Sequence, residues 1–140
     1  MRLELINDRY EFLKPEYATE FSTGADLKTA IDFTLCAGER KLIPTGLKLA
    51  GTPTPGVDIQ IRARSGLAKN YGIMLANGVG TIDADYKDEI CVLLYNSGQD
   101  DAYFKIGERI AQVVISVYER FENVNVKATV RSGGFGSTGT

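Results

Sequence analysis

The chain has 140 residues and a formal net charge of −2, with 44% apolar and 24% charged residues. This length and composition fit one soluble globular domain, and a slightly acidic chain has no general basic field for nucleic acid. The sequence has no histidine, which excludes imidazole zinc sites and serine–histidine catalysis. We see neither a signal peptide nor an apolar run of membrane-helix length. We therefore expect a cytoplasmic protein that contacts neither nucleic acid nor a membrane.

Short runs of alternating apolar and polar residues follow one another along the chain. Residues 31–36, 57–64 and 102–106 alternate, and residues 111–117 are apolar at every second position. Such alternation is typical of half-buried strands. Glycine is frequent, at 15 of 140 residues, and many glycines lie between these runs, where turns are expected.

The run 90–95 is apolar on both phases, so a second sheet or another subunit must cover both of its faces. Residues 66–71 have room for one short helical turn. Cys36 and Cys91 each lie among apolar residues without a partner at metal spacing, so we expect two buried, reduced thiols. Many short strands without a long helix predict an all-β sandwich, barrel or jelly roll.

The segment 64–68 combines groups that suit an anion. Arg64 ends a strand run, and Ser65 and Gly66 then open a turn where backbone N–H groups are free. An arginine, a hydroxyl and free amides together favour phosphate or carboxylate binding. A strand end with a solvated arginine is the alternative interpretation.

The segment 77–86 carries a turn and two carboxylates. Asn77 and Gly78 form a strong hairpin signal. Asp83 and Asp85 are two positions apart, so on a strand they would share a face. This pattern is typical of a metal site, a general base or a solvated edge, and the sequence leaves all three open.

The segment 107–112 leads into the last long strand. Gln112 lies on the phase opposite the apolar residues 111 and 113. Its amide can therefore face a ligand or an interface. An ordinary strand start explains the segment equally well.

The last ten residues, 131–140, read RSGGFGSTGT and contain four glycines and no aliphatic residue. Such a segment cannot hold a core position of its own, and we predict a mobile strap. Arg131, Ser137 and Thr138 could donate to phosphate, and Phe135 offers a flat surface for a nucleobase. A disordered polar tail is the alternative.

The order of these segments resembles the five motifs of the trimeric dUTPase family. Residues 24–27, 64–68, 77–89, 107–112 and 131–139 look like motifs one to five, and the resemblance extends along nearly the whole chain. The resemblance implies a jelly-roll-like, distorted β-barrel of the β-clip type over residues 1–130. It also implies a homotrimer with interface active sites, each closed by the 131–140 strap of a neighbouring subunit.

The resemblance further implies Mg²⁺-assisted hydrolysis of dUTP to dUMP and pyrophosphate, a reaction that keeps uracil out of DNA. Asp83 matches the carboxylate that activates water for attack on the α-phosphorus, and Tyr86 matches the aromatic that excludes a 2′-hydroxyl. Asp26 matches an acid near the metal-bound waters or the subunit interface, while phosphates and waters hold Mg²⁺ itself. The implied base and sugar positions are Asn77, Gly80, Thr81, Ile82, Tyr86, Cys91 and Phe135. The implied phosphate positions are Arg64, Ser65, Gly66, Gln112, Arg131, Gly136, Ser137 and Thr138.

Two positions depart from the family pattern. Thr23 stands where the family usually has alanine, and Asp88 where it usually has glycine, which leaves the local turn geometry open. Two other functions remain possible on the same fold. One is a dCTP deaminase or bifunctional deaminase–dUTPase, although such relatives tend to carry Pro-Gly-Trp where this chain has residues 84–86. The other is a non-enzymatic, nucleotide-binding regulatory protein.

Overall fold

The computed structural model describes residues 1–131 and 133–135, and strands dominate them. The described residues contain one α-helix, α1 (Ser65–Tyr71), and one 3-10 helix (Asp8–Leu13). None of the helices in this part of the chain is long and apolar enough to cross a membrane. The strands are β1 (Arg2–Leu5), β2 (Glu16–Tyr17), β3 (Ala25–Lys28), β4 (Phe33–Leu35), β5 (Arg40–Pro44), β6 (Leu47–Ala50), β7 (Val57–Arg62), β8 (Ile73–Leu75), β9 (Gly80–Ile82), β10 (Cys91–Asn96), β11 (Ala102–Phe104) and β12 (Arg109–Val117).

The strands form four antiparallel sheets. The largest has the order β2-β3-β12-β7-β9, and the second has the order β5-β10-β8. Two strand pairs, β1 with β6 and β4 with β11, complete the set. The prediction of an all-β class is confirmed, and the described strands form a distorted jelly roll rather than a closed barrel.

The core follows from the alternation in the sequence. Ile59 and Ile61 of β7 and Val113 of β12 point inward and are buried, as are Leu27 of β3 and Val92 of β10. Burying one such side chain contributes about 1.5–3 kcal/mol relative to leaving it exposed. The apolar phase of each strand therefore fixes which face of the sheet points inward.

Strand β10 was predicted to be covered on both faces, and the single chain covers one of them. Val92 and Leu94 are buried, whereas Cys91, Leu93 and Tyr95 on the other face are half-buried in the single chain. Cys91 and Leu93 line a cavity instead of packing against a second sheet. The apolar character of this second face therefore serves, in part, as a pocket wall.

The turn at Asn77–Gly78 is not a hairpin, and that prediction is wrong. Strand β8 pairs with β10, whereas β9 pairs with β7. Gly78 has a φ of 73°, and its N–H donates to the carbonyl of Leu75 at 3.1 Å. Only glycine adopts this left-handed conformation without a steric penalty. The turn therefore carries the chain from the three-stranded sheet to the five-stranded one.

The prediction of two buried thiols is wrong for Cys36. Strand β4 ends at Leu35, and the Cys36 N–H donates to the Glu39 carboxylate at 3.0 Å in the turn that follows. Cys36 is therefore exposed, while Cys91 is half-buried, and both are free thiols.

Candidate active site

The first of two candidate sites is a cavity of about 230 Å³ at the Asn77–Gly78 turn, here called the base pocket. It lies where the chain passes from one sheet to the other, so both sheets contribute to its walls. All seven positions that were predicted to bind the base and sugar line it. The lining residues are Ile61, Leu75, Asn77, Gly80, Thr81, Ile82, Asp83, Tyr86, Cys91, Leu93, Arg131, Gly134 and Phe135.

A tight turn after β9 positions Tyr86 in this pocket. The Tyr86 N–H donates to the carbonyl of Asp83 at 3.0 Å, which reverses the chain. The Tyr86 hydroxyl donates to the carbonyl of Glu89 at 2.8 Å. The ring is buried, and this burial raises the pKa of the phenol. Tyr86 is therefore held rigidly before any ligand arrives.

Gly80 brings the β9 backbone close to β7. A Cβ atom at this position would lie 3.1 Å from the Cβ atom of Ile61, which is itself buried. A side chain at Gly80 would therefore push β9 away from β7. Residues 80–82 line the pocket, and β9 is the edge strand of its sheet, so backbone groups on its unpaired side are free of strand pairing.

Asp83 and Asp85 lie in the turn after β9, so the prediction that they share a face of a strand is wrong. One guanidinium nevertheless joins them. Arg131 donates from Nε to Asp85 at 2.8 Å and from Nη2 to Asp83. Its third nitrogen donates to the carbonyl of Gly133 at 2.8 Å. The hydrogen bond with Asp85 is the main cause that raises the pKa of Arg131.

The start of the C-terminal strap covers the base pocket of its own chain. Gly134 packs so closely on the Tyr86 ring that a Cβ atom there would overlap Cε2. Phe135, with a φ of 41°, also lines the pocket. Three further predicted phosphate binders, Gly136, Ser137 and Thr138, lie outside the described residues. Closure on a neighbouring subunit stays a prediction.

The second candidate site is a cavity of about 310 Å³, here called the anion cleft. Four predicted phosphate positions line it, namely Arg64, Ser65, Gly66 and Gln112. The prediction missed other members, above all Thr23 and Arg109. The lining residues are Ala18, Ser22, Thr23, Gly24, Asp26, Arg64, Ser65, Gly66, Arg109 and Gln112.

Asp26 organises the charges of the anion cleft. One of its oxygens accepts from Arg64 Nε at 3.3 Å, and the other accepts from Arg109 Nη1 at 3.5 Å. Gln112 lies beside Asp26 in the register of β12 and β3, and its amide donates to the carbonyl of Ala63 at 3.0 Å. The carboxylate thus turns two arginines toward one cavity.

Gly24 makes room for Gln112. A Cβ atom at Gly24 would overlap the amide oxygen of Gln112, so only glycine leaves this amide in place. The neighbouring Thr23 is exposed and adds a hydroxyl to the cleft. Asp88, the other departure from the family pattern, is exposed and has no positive φ, so its turn does not require glycine.

The two sites share no lining residue. Asp26 on β3 and Gly80 on β9 are separated by β12 and β7, which is about 14 Å across the sheet. Gln112 pairs with Arg62, the neighbour of Ile61, so Gln112 and Ile61 belong to opposite faces of the sheet. The chain therefore gathers the predicted base and sugar residues, together with Arg131, into one place, and Arg64, Ser65, Gly66 and Gln112 into another.

The described residues do not fit a metal ion held by the protein. No three His, Cys, Asp or Glu side chains in this part of the chain lie close enough to bind one. Asp26 is engaged by two arginines, and both Asp83 and Asp85 are engaged by Arg131. A divalent ion at either site would need ligands that these side chains do not supply, such as water or substrate oxygens.

Known proteins resemble the chain in sequence and in fold. A protein-family model described as dUTPase matches residues 11–139. The deoxyuridine 5'-triphosphate nucleotidohydrolase of Rickettsia bellii (strain OSU 85-389) is 53% identical over 132 residues, which cover 89% of this chain and 86% of that protein. The corresponding protein of Rickettsia felis is 51% identical over 131 residues, which cover 89% and 87%.

Two solved structures show the same architecture. The crystal structure of the dUTPase from Streptococcus mutans superposes with a TM-score of 0.80 at 30% identity, over 88% of this chain and 100% of that chain. A mutant dUTPase from phage phi11 of S. aureus, which coordinates a structural Mg(II) ion, superposes with a TM-score of 0.75 over 91% of this chain and 96% of that chain. At 18% identity, the phage protein shares the fold alone.

Proposed function

This chain belongs to the dUTPase family, and from this membership we infer that it hydrolyses dUTP to dUMP and pyrophosphate in the cytoplasm. One structural observation supports the assignment of residues. All seven positions matched to base and sugar recognition line a single pocket, with the matched catalytic carboxylate of Asp83 at its rim. The small-molecule substrate is therefore placed with its uracil and deoxyribose in the base pocket.

The base pocket supports selection of uracil and deoxyribose. Its wall at residues 80–82 offers backbone donors and acceptors, and a base with a different hydrogen-bonding edge would leave them mispaired. Sites of this kind reject such analogues by about 10⁴–10⁵-fold. The buried ring of Tyr86 cannot retreat, so a ribose 2′-hydroxyl would meet it directly.

Asp83 is proposed as the general base. Its carboxylate accepts a proton from the water that attacks the α-phosphorus, the bond from that phosphorus to the α–β bridging oxygen breaks, and pyrophosphate leaves. A positioned base of this kind contributes about 10²–10⁴-fold to the rate. Positioning and charge neutralisation supply the remainder.

Arg131 must change partners during this cycle. In the ligand-free chain it donates to Asp83 and Asp85, so an oxygen of Asp83 is already occupied by a hydrogen bond and is not free to accept one from water. We propose that the phosphates of dUTP draw Arg131 away from Asp83 and so release the base. Strap closure would then exclude water from the reacting groups.

Magnesium is proposed to enter with the nucleotide. An ion that bridges phosphate oxygens neutralises charge during phosphoryl transfer. The carboxylates of both candidate sites are engaged by arginines, which supports an ion carried by phosphates and waters. Asp26 would act on that ion only through water.

A homotrimer with interface active sites is proposed as the functional assembly. The base pocket and the anion cleft share no lining residue, and β12 and β7 lie between Asp26 and Gly80. A compact nucleotide would therefore reach both only where two subunits supply one each. Large apolar side chains are also exposed on the single chain, and association would cover them. They include Ile115, Val117, Phe121, Val124, Val126 and Val130.

The activity is tested by measuring pyrophosphate and ammonia release from dUTP, UTP, dCTP and dTTP with Mg²⁺. We expect fast pyrophosphate release from dUTP alone. Comparable rates on all four nucleotides would contradict the selective base pocket, and ammonia release from dCTP would establish a deaminase instead.

The assembly is tested by light scattering and by mixing two inactive variants. Asp83→Asn disables the base pocket, and Arg64→Gln disables the anion cleft. If active sites form between subunits, mixed trimers regain activity, because some interfaces join two intact halves. A monomer, or a mixture that stays inactive after subunit exchange, would refute interface sites.

A further inference from the structure

We propose that Arg109 supplies the positive charge with which the anion cleft binds the polyphosphate chain of the nucleotide. This inference rests on the proposed function, since it names a phosphate-binding residue for that reaction. Neither the match to family motifs nor the alternation of the sequence assigns this role to Arg109.

A β-bulge turns Arg109 toward the cleft. Arg109 pairs with Lys28 and Ala111 pairs with Leu27, so two steps along β12 match one step along β3. In a regular strand, Arg109 would share a face with the buried Ala111 and Val113. An extra residue re-aims the side chains on either side of it. Arg109 and Gln112 therefore line the same cavity although three positions separate them.

The charges of the cleft depend on this one side chain. The described residues that line the cleft include three charged ones: Asp26, Arg64 and Arg109. One carboxylate and two guanidiniums leave a net charge of about +1 at neutral pH. Without Arg109, the pair of Asp26 and Arg64 would be neutral. Because the whole chain carries −2, no general positive field would replace the lost charge.

Of the two arginines in the cleft, Arg64 and Arg109, Arg109 is the more exposed and the more accessible to a ligand. The side chain of Arg64 is 24% exposed, whereas that of Arg109 is 54% exposed. Arg109 reaches Asp26 with one nitrogen at 3.5 Å, the outer limit of a hydrogen bond. Among the described residues, Arg109 makes no other side-chain hydrogen bond and it lines the cleft, so its guanidinium can bind phosphate oxygens in the bidentate geometry that arginine favours.

A purely structural role, in which Arg109 only steadies Asp26, makes a different prediction. Such a role would affect Arg64 and the fold but would not depend on the positive charge at residue 109. The binding of inorganic pyrophosphate separates the two roles, because this probe has no base and no sugar. It also needs no turnover, so it tests the cleft apart from catalysis.

The experiment compares three variants of the full-length protein by calorimetric titration with inorganic pyrophosphate and by dUTP kinetics. Arg109→Gln removes the charge, and Arg109→Lys keeps it. Arg62→Gln is the matched control, because Arg62 is exposed on the neighbouring strand, donates to Gln60 and does not line the cleft. Thermal melting checks that each variant is folded.

We expect Arg109→Gln to weaken pyrophosphate binding and raise KM for dUTP by about tenfold or more, the loss of one charge-assisted contact. Arg109→Lys should stay within about threefold of wild type, and Arg62→Gln within about twofold. Binding of deoxyuridine should not change in any variant.

The proposal is overturned if Arg109→Gln binds pyrophosphate like wild type. Equal losses in Arg109→Gln and Arg62→Gln would also overturn it, because they would reveal only a general charge effect. Equal losses in Arg109→Gln and Arg109→Lys would assign a structural role instead. A wild-type protein without dUTP hydrolysis would refute the proposed function and leave the pyrophosphate comparison intact.

Discussion

The base pocket and the anion cleft are assembled in opposite ways. The base pocket draws eight of its lining residues from the stretch 75–91 and combines aliphatic side chains and the rings of Tyr86 and Phe135 with one charged pair, Asp83 and Arg131. The anion cleft draws its residues from three separate parts of the chain, 18–26, 64–66 and 109–112, and depends on three charged side chains. Local sequence thus encodes most of the base pocket, whereas the anion cleft depends on how distant strands are aligned.

Because of this difference, mutations in the base pocket and mutations in the anion cleft should have different effects. The base pocket is rigid before binding, because buried neighbours hold Tyr86 and Gly80 in place. The anion cleft is more open, and its arginines are only partly buried. Changes in the pocket should therefore alter selectivity among bases, and changes in the cleft should alter affinity for phosphate.

The largest effect is expected at the rim of the base pocket. Asp83→Asn should lower kcat for dUTP by about 10²–10⁴-fold, because the amide cannot accept the proton from water. The affinity for dUMP should remain within a few-fold. Asp85→Asn is the control, since Asp85 shares Arg131 with Asp83 but does not line the pocket, and its kcat should fall by less than about tenfold. More than a tenth of wild-type turnover in Asp83→Asn would remove Asp83 from its role.

A smaller effect is expected inside the pocket. In Gly80→Ala, the new methyl group would lie 3.1 Å from the Ile61 Cβ atom, so β9 must shift. We expect kcat/KM for dUTP to fall by about 10–100-fold. Discrimination against dCTP should narrow, while pyrophosphate binding stays unchanged. The neighbouring Val79→Ala, at an exposed position, should leave all three quantities unchanged. An unaltered preference for dUTP in Gly80→Ala would break the assignment of base selectivity to this wall.

A still smaller effect is expected in the cleft. Gly24→Ala should displace the flexible amide of Gln112 from the Ala63 carbonyl, a loss of about 1 kcal/mol. KM for dUTP should rise by about three- to tenfold with base selectivity unchanged. In a Gln112→Ala background the same change should have no further effect. Additive losses in the double variant would show that Gly24 acts through another group.

The smallest effect on activity is expected at Cys91. Burial, together with the charge of Glu89, raises the pKa of this thiol to about 11, so about one molecule in a thousand carries the thiolate at pH 8. In a Cys36→Ser background, alkylation of Cys91 should be slow at pH 8 and should accelerate about tenfold per pH unit up to about pH 11. The variant Cys91→Ala should change kcat/KM by less than about threefold. A rate that levels off near pH 9 would contradict the raised pKa.

The same pKa shift has a consequence for folding. An unfolded thiol ionises near pH 8.5–9, below the pKa in the folded chain. Between about pH 9 and pH 11 the folded state therefore binds more protons, and its stability relative to the unfolded state falls as pH rises. Equilibrium unfolding in urea across this range measures the decline, with Cys91→Ala as the variant that lacks it.

Local sequence patterns were sufficient to predict several of the strands and the short helix. Strict alternation predicts β7 and β12 within two residues, and Ser65 and Gly66 do open the short helix α1. Strand β3 is not predicted from the sequence, although Ala25 and Leu27 alternate there with polar residues, because four residues are too few for a periodic signal. Membership of the base pocket could be read from contiguous residues and from family resemblance.

Other features depend on pairing between distant strands, which periodicity does not encode. The Asn77–Gly78 signal specifies a tight turn but not the partners of β8 and β9, so the hairpin prediction failed. The bulge that re-aims Arg109 is equally invisible, because regular alternation assigns that side chain to the apolar face. The ion pairs of Arg131 with Asp83 and Asp85 join positions that are 48 and 46 residues apart.

The base pocket lies between two sheets, so a nucleotide bound there would link one sheet to the other. Residues on β8 and β9 line this one pocket although the two strands hydrogen-bond within different sheets. A motion that separates the two sheets would have to break contacts with a ligand bound in the pocket. Ligand binding should therefore make this opening motion less frequent. Slower amide hydrogen exchange on both strands at once would be the signature of this mechanical coupling.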